Sequence, residues 1–212
     1  MRSHLSILAT VSTLLYLILP TSAHAYTLYD DGEGHVLYWP TPKMEVVIDT
    51  SALVGAPGAA DEIRAAFFAW SSAGSPYAPV FREARVIGEC EARDGINAVR
   101  WIQQSWPFAA NMPGMTVIWA EKGTGVILEV DILLNAEHYQ WSTSSHTSPA
   151  HVDIRNVLTH EVGHFTGLGH STDPDATMYT FSNKGEQKKR TLEDDDLAGL
   201  ASLAQQIALE DP

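Results

Sequence analysis

One short stretch constrains the possible fold and function of this chain more than any other feature. Residues 160–171 read HEVGHFTGLGHS, which has the form HExxHxxGxxH. On a helix, residues at i and i+4 lie one above the other, so His160 and His164 point to the same side. Gly167 can adopt the left-handed conformation that ends a helix and turns the chain, which would bring His170 back to the same point. The stretch therefore predicts three imidazoles that converge on one zinc ion.

A zinc site with this ligand set is expected to be catalytic. Structural zinc sites fill all four coordination positions with protein side chains, whereas three neutral imidazoles leave one position for water. Glu161 is turned by about 100° around the helix axis from the first ligand, so its carboxylate lies beside the metal. Zinc lowers the pKa of bound water to about 7, and Glu161 can take the proton as the water attacks a carbonyl that zinc polarises. The expected reaction is hydrolysis of a peptide bond.

Two other functions are compatible with the same residues. The zinc could be a folding staple in an exported, non-catalytic binding module, although the intact Glu161 argues against this. The protein could also be a zinc hydrolase that acts on a non-protein amide, and only a substrate screen separates that activity from proteolysis. Chance is a weaker alternative, because HExxH alone arises by accident but the longer string, with its glycine and third histidine, rarely does.

The residues after the third histidine extend the pattern. Residues 171–179 read STDPDATMY, in which Ser171 directly follows the third histidine and Met178 comes soon after. Here the sequence resembles the metzincins and, within them, the matrixins, the family of matrix metalloproteinases and their bacterial relatives. The resemblance is to a secreted, bacterial-type member and covers roughly residues 35–208. It implies that Met178 forms the methionine turn beneath the zinc.

The resemblance implies further features of the domain. Asp195 and Asp196 are similar to the paired aspartates at the start of the family's C-terminal helix, although simple helix capping explains such a pair equally well. The segment 115–120 would be the edge strand to which an extended polypeptide substrate adds above the zinc. Many vertebrate members carry a second, structural zinc in a loop rich in glycine and histidine, but residues 121–130 contain no histidine. We therefore expect one catalytic zinc ion, and calcium has no support in the sequence.

The remaining residues predict an α+β domain with a twisted mixed sheet of about five strands. A lead-in segment without regular structure comes first, and a backing helix, the zinc-binding helix and a C-terminal helix complete the domain. The predicted strands cover 44–50, 80–87, 98–103, 115–120 and 126–135, and the predicted helices cover 59–70, 154–165 and 192–208. In the first helix, Phe67 and Trp70 lie on the apolar face and are expected in the core.

The first 25 residues predict export. Arg2 precedes an apolar run over 5–19, and residues 23–25 (AHA) supply small side chains around a cleavage site. The run is about 15 residues long, shorter than the roughly 20 that a membrane-spanning helix needs. We therefore expect a signal peptide at 1–25 and a matrixin-like catalytic domain at 26–212. After cleavage the domain would be extracellular or periplasmic, without stable membrane association.

Charge and cysteine content narrow the set of partners. The formal net charge is −13, with 13 Lys and Arg against 26 Asp and Glu. This balance argues against nucleic acid, whose binding depends on basic side chains that displace counterions. The single cysteine, Cys90, excludes an intrachain disulfide, and no role is assigned to it. We expect the protein to act as a monomer on extended polypeptides.

Overall fold

The computed structural model of the protein describes residues 24–50, 56–86 and 93–210. Most of the predicted signal peptide, the end of the predicted second strand at Ile87, and Cys90 lie outside these residues. Within them the predicted α+β fold is confirmed. Strands β1 to β5 cover Lys43–Asp49, Ala78–Ala84, Ala98–Ile102, Gly114–Ala120 and Ile127–Asn135, and helices α1 to α3 cover Ala59–Ser72, Ile154–Thr166 and Asp194–Glu210.

The five strands form one mixed sheet in the order β2-β1-β3-β5-β4. Strands β1, β2, β3 and β5 are parallel, and β4 pairs antiparallel with β5 at the edge. The inner strands are nearly continuous apolar runs because both of their faces are covered, as Val46, Val47 and Ile48 of β1 illustrate. Most side chains of β4 are half-buried. The prediction that 115–120 is an edge strand is therefore confirmed.

Helices α1 and α2 pack against each other through aromatic side chains. The Trp70 indole Nε1 donates a 2.7 Å hydrogen bond to the Thr159 carbonyl of α2. Phe67 meets Phe165 edge to face, with 5.2 Å between ring centroids, an arrangement that aromatic pairs favour. Phe67 and Trp70 are buried, as their helical spacing predicts. No helix among the described residues combines the length and the apolar character that a membrane crossing requires.

Three short elements were not predicted. Strands β6 (Trp141–Ser142) and β7 (Val152–Asp153) pair in parallel, and a 3-10 helix covers Lys188–Arg190. Elements of two or three residues are too short to show a repeating apolar pattern. They matter because β7 leads directly into α2, and the 3-10 helix packs against α2.

The lead-in segment is less irregular than its composition predicts. Residues 25–29 run antiparallel to residues 167–172, which lie between α2 and the methionine turn. The backbone N–H of Tyr29 donates to the Gly167 carbonyl at 2.9 Å, and that of Gly169 donates to the Thr27 carbonyl at 2.8 Å. The Thr27 hydroxyl donates to the carbonyl of His170. The start of the described chain thus holds the segment that carries the third histidine.

Asp153 fixes the start of α2. Its Oδ1 accepts the backbone N–H of Asn156 at 2.8 Å, which caps the helix. The buried carboxylate also accepts hydrogen bonds from three side chains, those of Thr147, Gln187 and Arg190. Burial alone would raise the pKa of Asp153, but the hydrogen bonds, led by that from Arg190, lower it below its ordinary value. The helix that carries two of the three histidines therefore depends on one ionised carboxylate.

We predict that Asp153→Ala lowers the free energy of unfolding at pH 7 by about 3 kcal/mol, because it removes a helix cap and leaves the Arg190 guanidinium without its buried partner. Asp61→Ala is the matched control, since Asp61 also lies in the first turn of a helix but has a side chain that is 85% exposed. The control should change stability by less than about 0.5 kcal/mol. Urea unfolding monitored by circular dichroism measures both, and equal effects of the two substitutions would contradict the role of Asp153.

The difference between wild type and Asp153→Ala should also depend on pH. The pKa of Asp153 is lower in the folded protein than in the unfolded chain, where it is about 3.9. Its contribution is therefore fully present above pH 5 and is lost as the pH falls from about 4 through the folded-state pKa. Unfolding curves of both proteins at pH 7, 5 and below 4 test this prediction. A stability difference between wild type and Asp153→Ala that grows on acidification would contradict the predicted direction of the pH effect.

Candidate active site

The structure brings the three predicted histidines together. One ring nitrogen each from His160, His164 and His170 lies within 4.8 Å of the other two, and 3.2 Å separates Nε2 of His164 from Nε2 of His170. The first two rings come from successive turns of α2. Gly167 ends the helix with φ 109°, the left-handed conformation expected for it, and a Cβ there would lie 2.6 Å from the Leu37 carbonyl oxygen. This turn returns His170 to the rings on the helix.

Backbone carbonyls orient two of the rings. Nδ1 of His160 lies 2.7 Å from the Thr177 carbonyl oxygen, and Nδ1 of His164 lies 2.8 Å from that of Leu168. A carbonyl only accepts hydrogen bonds, so both Nδ1 atoms carry the proton and both Nε2 atoms keep a lone pair. This arrangement, in which the outer nitrogen donates and the inner nitrogen is free, is the usual one for histidines that bind metal.

The electrostatic environment keeps the imidazoles neutral. Burial lowers the pKa of His160 well below its ordinary value, and electrostatic interactions with His164 and Lys189 lower it further. Burial also lowers the pKa of His164 to about 4, and burial and Lys189 lower that of His170. At pH 7 the group offers three uncharged nitrogen donors. Such a set fits zinc, which binds neutral imidazole nitrogen in a tetrahedral shell.

Glu161 is buried next to the edge strand β4. Its Oε2 accepts a 2.7 Å hydrogen bond from the Thr116 hydroxyl. A Cβ at Gly114 would lie 2.7 Å from Oε1 of Glu161 and 2.8 Å from Val157, so only glycine allows β4 to approach α2 this closely. Burial raises the pKa of Glu161 to about 7, even though the Thr116 hydrogen bond acts in the opposite direction. Burial thus makes this carboxylate a stronger proton acceptor than an exposed glutamate.

A buried methionine turn lies beneath the histidines. Met178 is 1% exposed, and its backbone carbonyl accepts the N–H of Ser171 at 2.9 Å. A Cβ at Gly163 would lie 2.2 Å from the Met178 sulfur and 2.8 Å from Trp70. Glycine between the two helical histidines thus allows α2 to lie directly on the methionine.

The paired aspartates connect α3 to this turn. Asp196 accepts the backbone N–H groups of Thr177 at 2.8 Å and Met178 at 2.9 Å, and Asp195 accepts the Ser171 hydroxyl at 2.7 Å. Asp196 also accepts the N–H of Glu193 just before α3, so it caps the helix as well. Helix capping thus accounts for Asp196 but not for Asp195, and both aspartates hold the segment that follows α2. Because the Thr177 carbonyl orients His160, Asp196 supports that ring through one intervening residue.

Sequence patterns missed two side chains near this group. Tyr29, in the lead-in segment, stacks on His164 with 5.2 Å between ring centroids, and burial together with the charge of Glu161 raises its pKa. Lys189 is 1% exposed, and burial lowers its pKa to about 8. Neither belongs to a recognisable motif. Lys189 lies between Lys188 and Arg190, so the sequence indicates only a solvated basic run.

A second group of potential ligands lies in the lead-in segment, formed by Asp31, Glu33 and His35. The Asp31 carboxylate accepts the N–H groups of Glu33 and His35, the His35 ring nitrogen and the N–H of Gly123 in the β4–β5 hairpin. These hydrogen bonds explain why the side chains lie close together. The group joins the lead-in segment to the hairpin.

Comparison with known proteins gives the same family as the motif. The sequence profile of the matrixin family of peptidases matches residues 45–205. The chain is 33% identical to human matrilysin over 100 residues, which are 47% of this chain and 34% of matrilysin. It is 41% identical to metalloendoproteinase 4-MMP of Arabidopsis thaliana over 68 residues, 32% of this chain and 20% of that protein.

A further relative, metalloendoproteinase 1-MMP of Arabidopsis thaliana, is 46% identical over 57 residues, which are 27% of this chain and 15% of that protein. The chain therefore aligns with about a third or less of the length of these curated relatives. The family match, in contrast, covers most of the chain and includes the histidine group, Glu161, the methionine turn and the paired aspartates. By sequence and by fold, the chain belongs to the matrixin family.

Proposed function

We propose that this protein is a secreted zinc-dependent metalloendopeptidase. His160, His164 and His170 hold one zinc ion, and Glu161 is the general base. The observation that carries the proposal is the pairing of three convergent, neutral imidazoles with a buried carboxylate of raised pKa. Membership in the matrixin family, and the relatives named as metalloendoproteinases, support the same activity.

The protein residues around the group have separate tasks in hydrolysis. Zinc, when bound, supplies a Lewis acid that polarises the substrate carbonyl and makes water more acidic. Glu161 accepts the proton of the attacking water and passes it to the leaving amine. The Thr116 hydroxyl holds one carboxylate oxygen, so the other is free to take part in the transfer. Burial, which raises the pKa of Glu161, favours the uptake of this proton.

The proposed substrate is an extended polypeptide. Among the described residues strand β4 pairs only with β5, and its residues Gly114 and Thr116 lie next to Glu161. A polypeptide that adds to this edge satisfies the backbone N–H and carbonyl groups of β4 and brings a peptide bond to the reactive groups. Backbone pairing of this kind fits any extended chain, which favours an endopeptidase.

Export and domain organisation are part of the proposal. Residues 1–25 act as a signal peptide, and 26–212 form the catalytic domain, which works as a monomer outside the cytoplasm. The support is the order of a positive residue, a short apolar run and the small residues at 23–25. Mass spectrometry of the exported protein, with a new N-terminus at Tyr26 as the expected result, tests this organisation.

We predict that Glu161→Gln lowers kcat/KM on casein by a factor of about 10² to 10⁴, the range by which general acid-base catalysis accelerates reactions. The amide keeps the size of the side chain but cannot accept the proton. Both proteins should contain one zinc per chain by atomic absorption, because Glu161 is not a ligand. Glu121→Gln, which makes the same change at an exposed position of the β4–β5 hairpin, should keep wild-type activity.

Other results would identify the alternatives. If wild type and Glu161→Gln both bind zinc and neither cleaves proteins or peptides, the protein is a zinc-stapled binding module. If wild type releases amines only from a non-protein amide, the protein is a zinc-dependent amide hydrolase whose substrate is not a polypeptide. Equal cleavage of casein by the two proteins would exclude Glu161 as the base.

Removal of the metal should lower stability as well as activity. We predict that a chelator abolishes cleavage and lowers the thermal midpoint, and that zinc restores both, because a ligand at about 100 times its Kd stabilises the folded state by about 2.7 kcal/mol. His164→Ala should remove the response of the midpoint to zinc. Differential scanning calorimetry of both proteins makes the comparison, and an unchanged midpoint in wild type would argue against zinc binding at this group.

A further inference from the structure

Lys189 is a fully buried cation beside the proposed active site. Its backbone N–H donates to Oδ1 of Asn156 at 2.8 Å, and its Nζ donates to the Tyr179 carbonyl oxygen. Asn156 lies one helical turn before His160, and Tyr179 directly follows Met178. The neighbouring Lys188 is exposed. Of two adjacent lysines, the chain therefore buries one against the helix that carries the histidines.

The Lys189 ammonium has no carboxylate partner among the described residues. The carboxylates close enough to act on it electrostatically are those of Glu186, Glu161 and Asp196, but none forms an ion pair with it within 4.0 Å. Each of them accepts hydrogen bonds from other groups. The ammonium has three N–H bonds and one acceptor, the Tyr179 carbonyl. Burial of an unpaired charge is costly, so an anion that enters next to Lys189 would be bound strongly.

Strand β4 and the segment that contains Lys189 flank helix α2 on two sides. Helix α2 forms the floor between them. On one side Gly114 and Thr116 of β4 contact Val157 and Glu161. On the other side, segment 177–189 contacts Asn156 and His160, through Ser182, Lys189 and Thr177. The Lys189 charge acts on Glu161 and on all three histidines. Lys189 is therefore part of the wall opposite β4, on the side of Asn156.

The direction of β4 identifies the substrate residue concerned. The strand begins at Gly114 beside Val157, near the start of α2, and its hairpin ends at Gly125, against the carbonyl of Val36. The next residue, Leu37, contacts Gly167 at the end of α2. A polypeptide that pairs antiparallel with β4 therefore runs from the end of α2 toward its start. The residue after the scissile bond then lies on the side of Asn156 and Lys189, and alternate side chains of an extended chain point to the floor.

We propose that Lys189 selects a substrate with a carboxylate side chain, aspartate or glutamate, directly after the scissile bond. This inference rests on the proposed peptidase function. The entering carboxylate supplies the N–H groups of the ammonium with a charged acceptor, an interaction stronger than a hydrogen bond between neutral groups. A large apolar side chain would cover the ammonium without pairing it, and a basic one would be repelled. Ser182, whose hydroxyl accepts a hydrogen bond from the side chain of Asn156 in the floor, adds a polar group to the same wall.

The test uses the zinc-loaded protein and four peptides that differ only in the residue after the scissile bond: Glu, Gln, Leu or Lys. We expect kcat/KM for the Glu peptide to exceed that for the isosteric Gln peptide at least tenfold, and the Lys peptide to be the poorest. Lys189→Met, which keeps an unbranched side chain one atom shorter and removes the charge, should reduce the ratio of Glu to Gln to about one. Lys188→Met, which removes a charge from the adjacent exposed position, should leave the ratio unchanged.

The outcomes separate this inference from the proposed function. Absence of cleavage of casein and of all four peptides by wild type would refute the peptidase itself. Cleavage in which Gln or Leu equals or exceeds Glu would overturn the role of Lys189 and leave the peptidase intact, and so would a preference for Glu that persists in Lys189→Met. Zinc content and thermal midpoint show whether that variant is folded. If it is not, the Glu to Gln ratio of wild type decides alone, because the two side chains have nearly the same shape and only Glu carries a negative charge.

Discussion

Two backbone carbonyls, those of Thr177 and Leu168, fix the rings of His160 and His164, and the geometry of the active site depends on them. An acceptor for the outer nitrogen fixes the ring orientation and the tautomer that leaves the inner nitrogen free for a metal. Each carbonyl is itself held in place. Asp196 binds the N–H of Thr177, and the Gly167 turn, paired with the lead-in segment, places Leu168 beneath His164. The methionine turn thus positions the ring of His160, and the glycine turn positions that of His164.

Close approach of backbone segments is the second requirement. Gly114 lets β4 reach Glu161, and Gly163 lets α2 lie on Met178. At both positions a methyl group would overlap its neighbours, so the spacing of strand, helix and turn follows from the absence of a side chain. The result is a cleft with hydrogen-bonding backbone on one wall and polar side chains on the other. Its floor holds the neutral nitrogens and one buried carboxylate, that of Glu161, whose pKa burial raises to about 7.

The sequence predicts those parts of the molecule that have a local pattern. Strands of five or more residues and the three helices follow from apolar periodicity, and the histidine group follows from spacing on a helix and a terminal glycine. The contributions of Tyr29, Thr116 and Lys189 could not be predicted, because each depends on a contact between segments distant in sequence. Lys189 is the clearest case. A run of three basic residues normally predicts solvent exposure, and only the packing of the 3-10 helix on α2 reverses this.

A crystal structure of the protein grown with zinc, with the ion located by its anomalous scattering, tests the central claim most directly. We predict one strong peak about 2.0 to 2.1 Å from Nε2 of His160, His164 and His170, with Glu161 outside the coordination shell and no fourth protein ligand. A peak at Asp31, Glu33 and His35 in place of this group would contradict the account. So would a shell completed by Glu161 or another side chain, because a closed site has no position for the reaction.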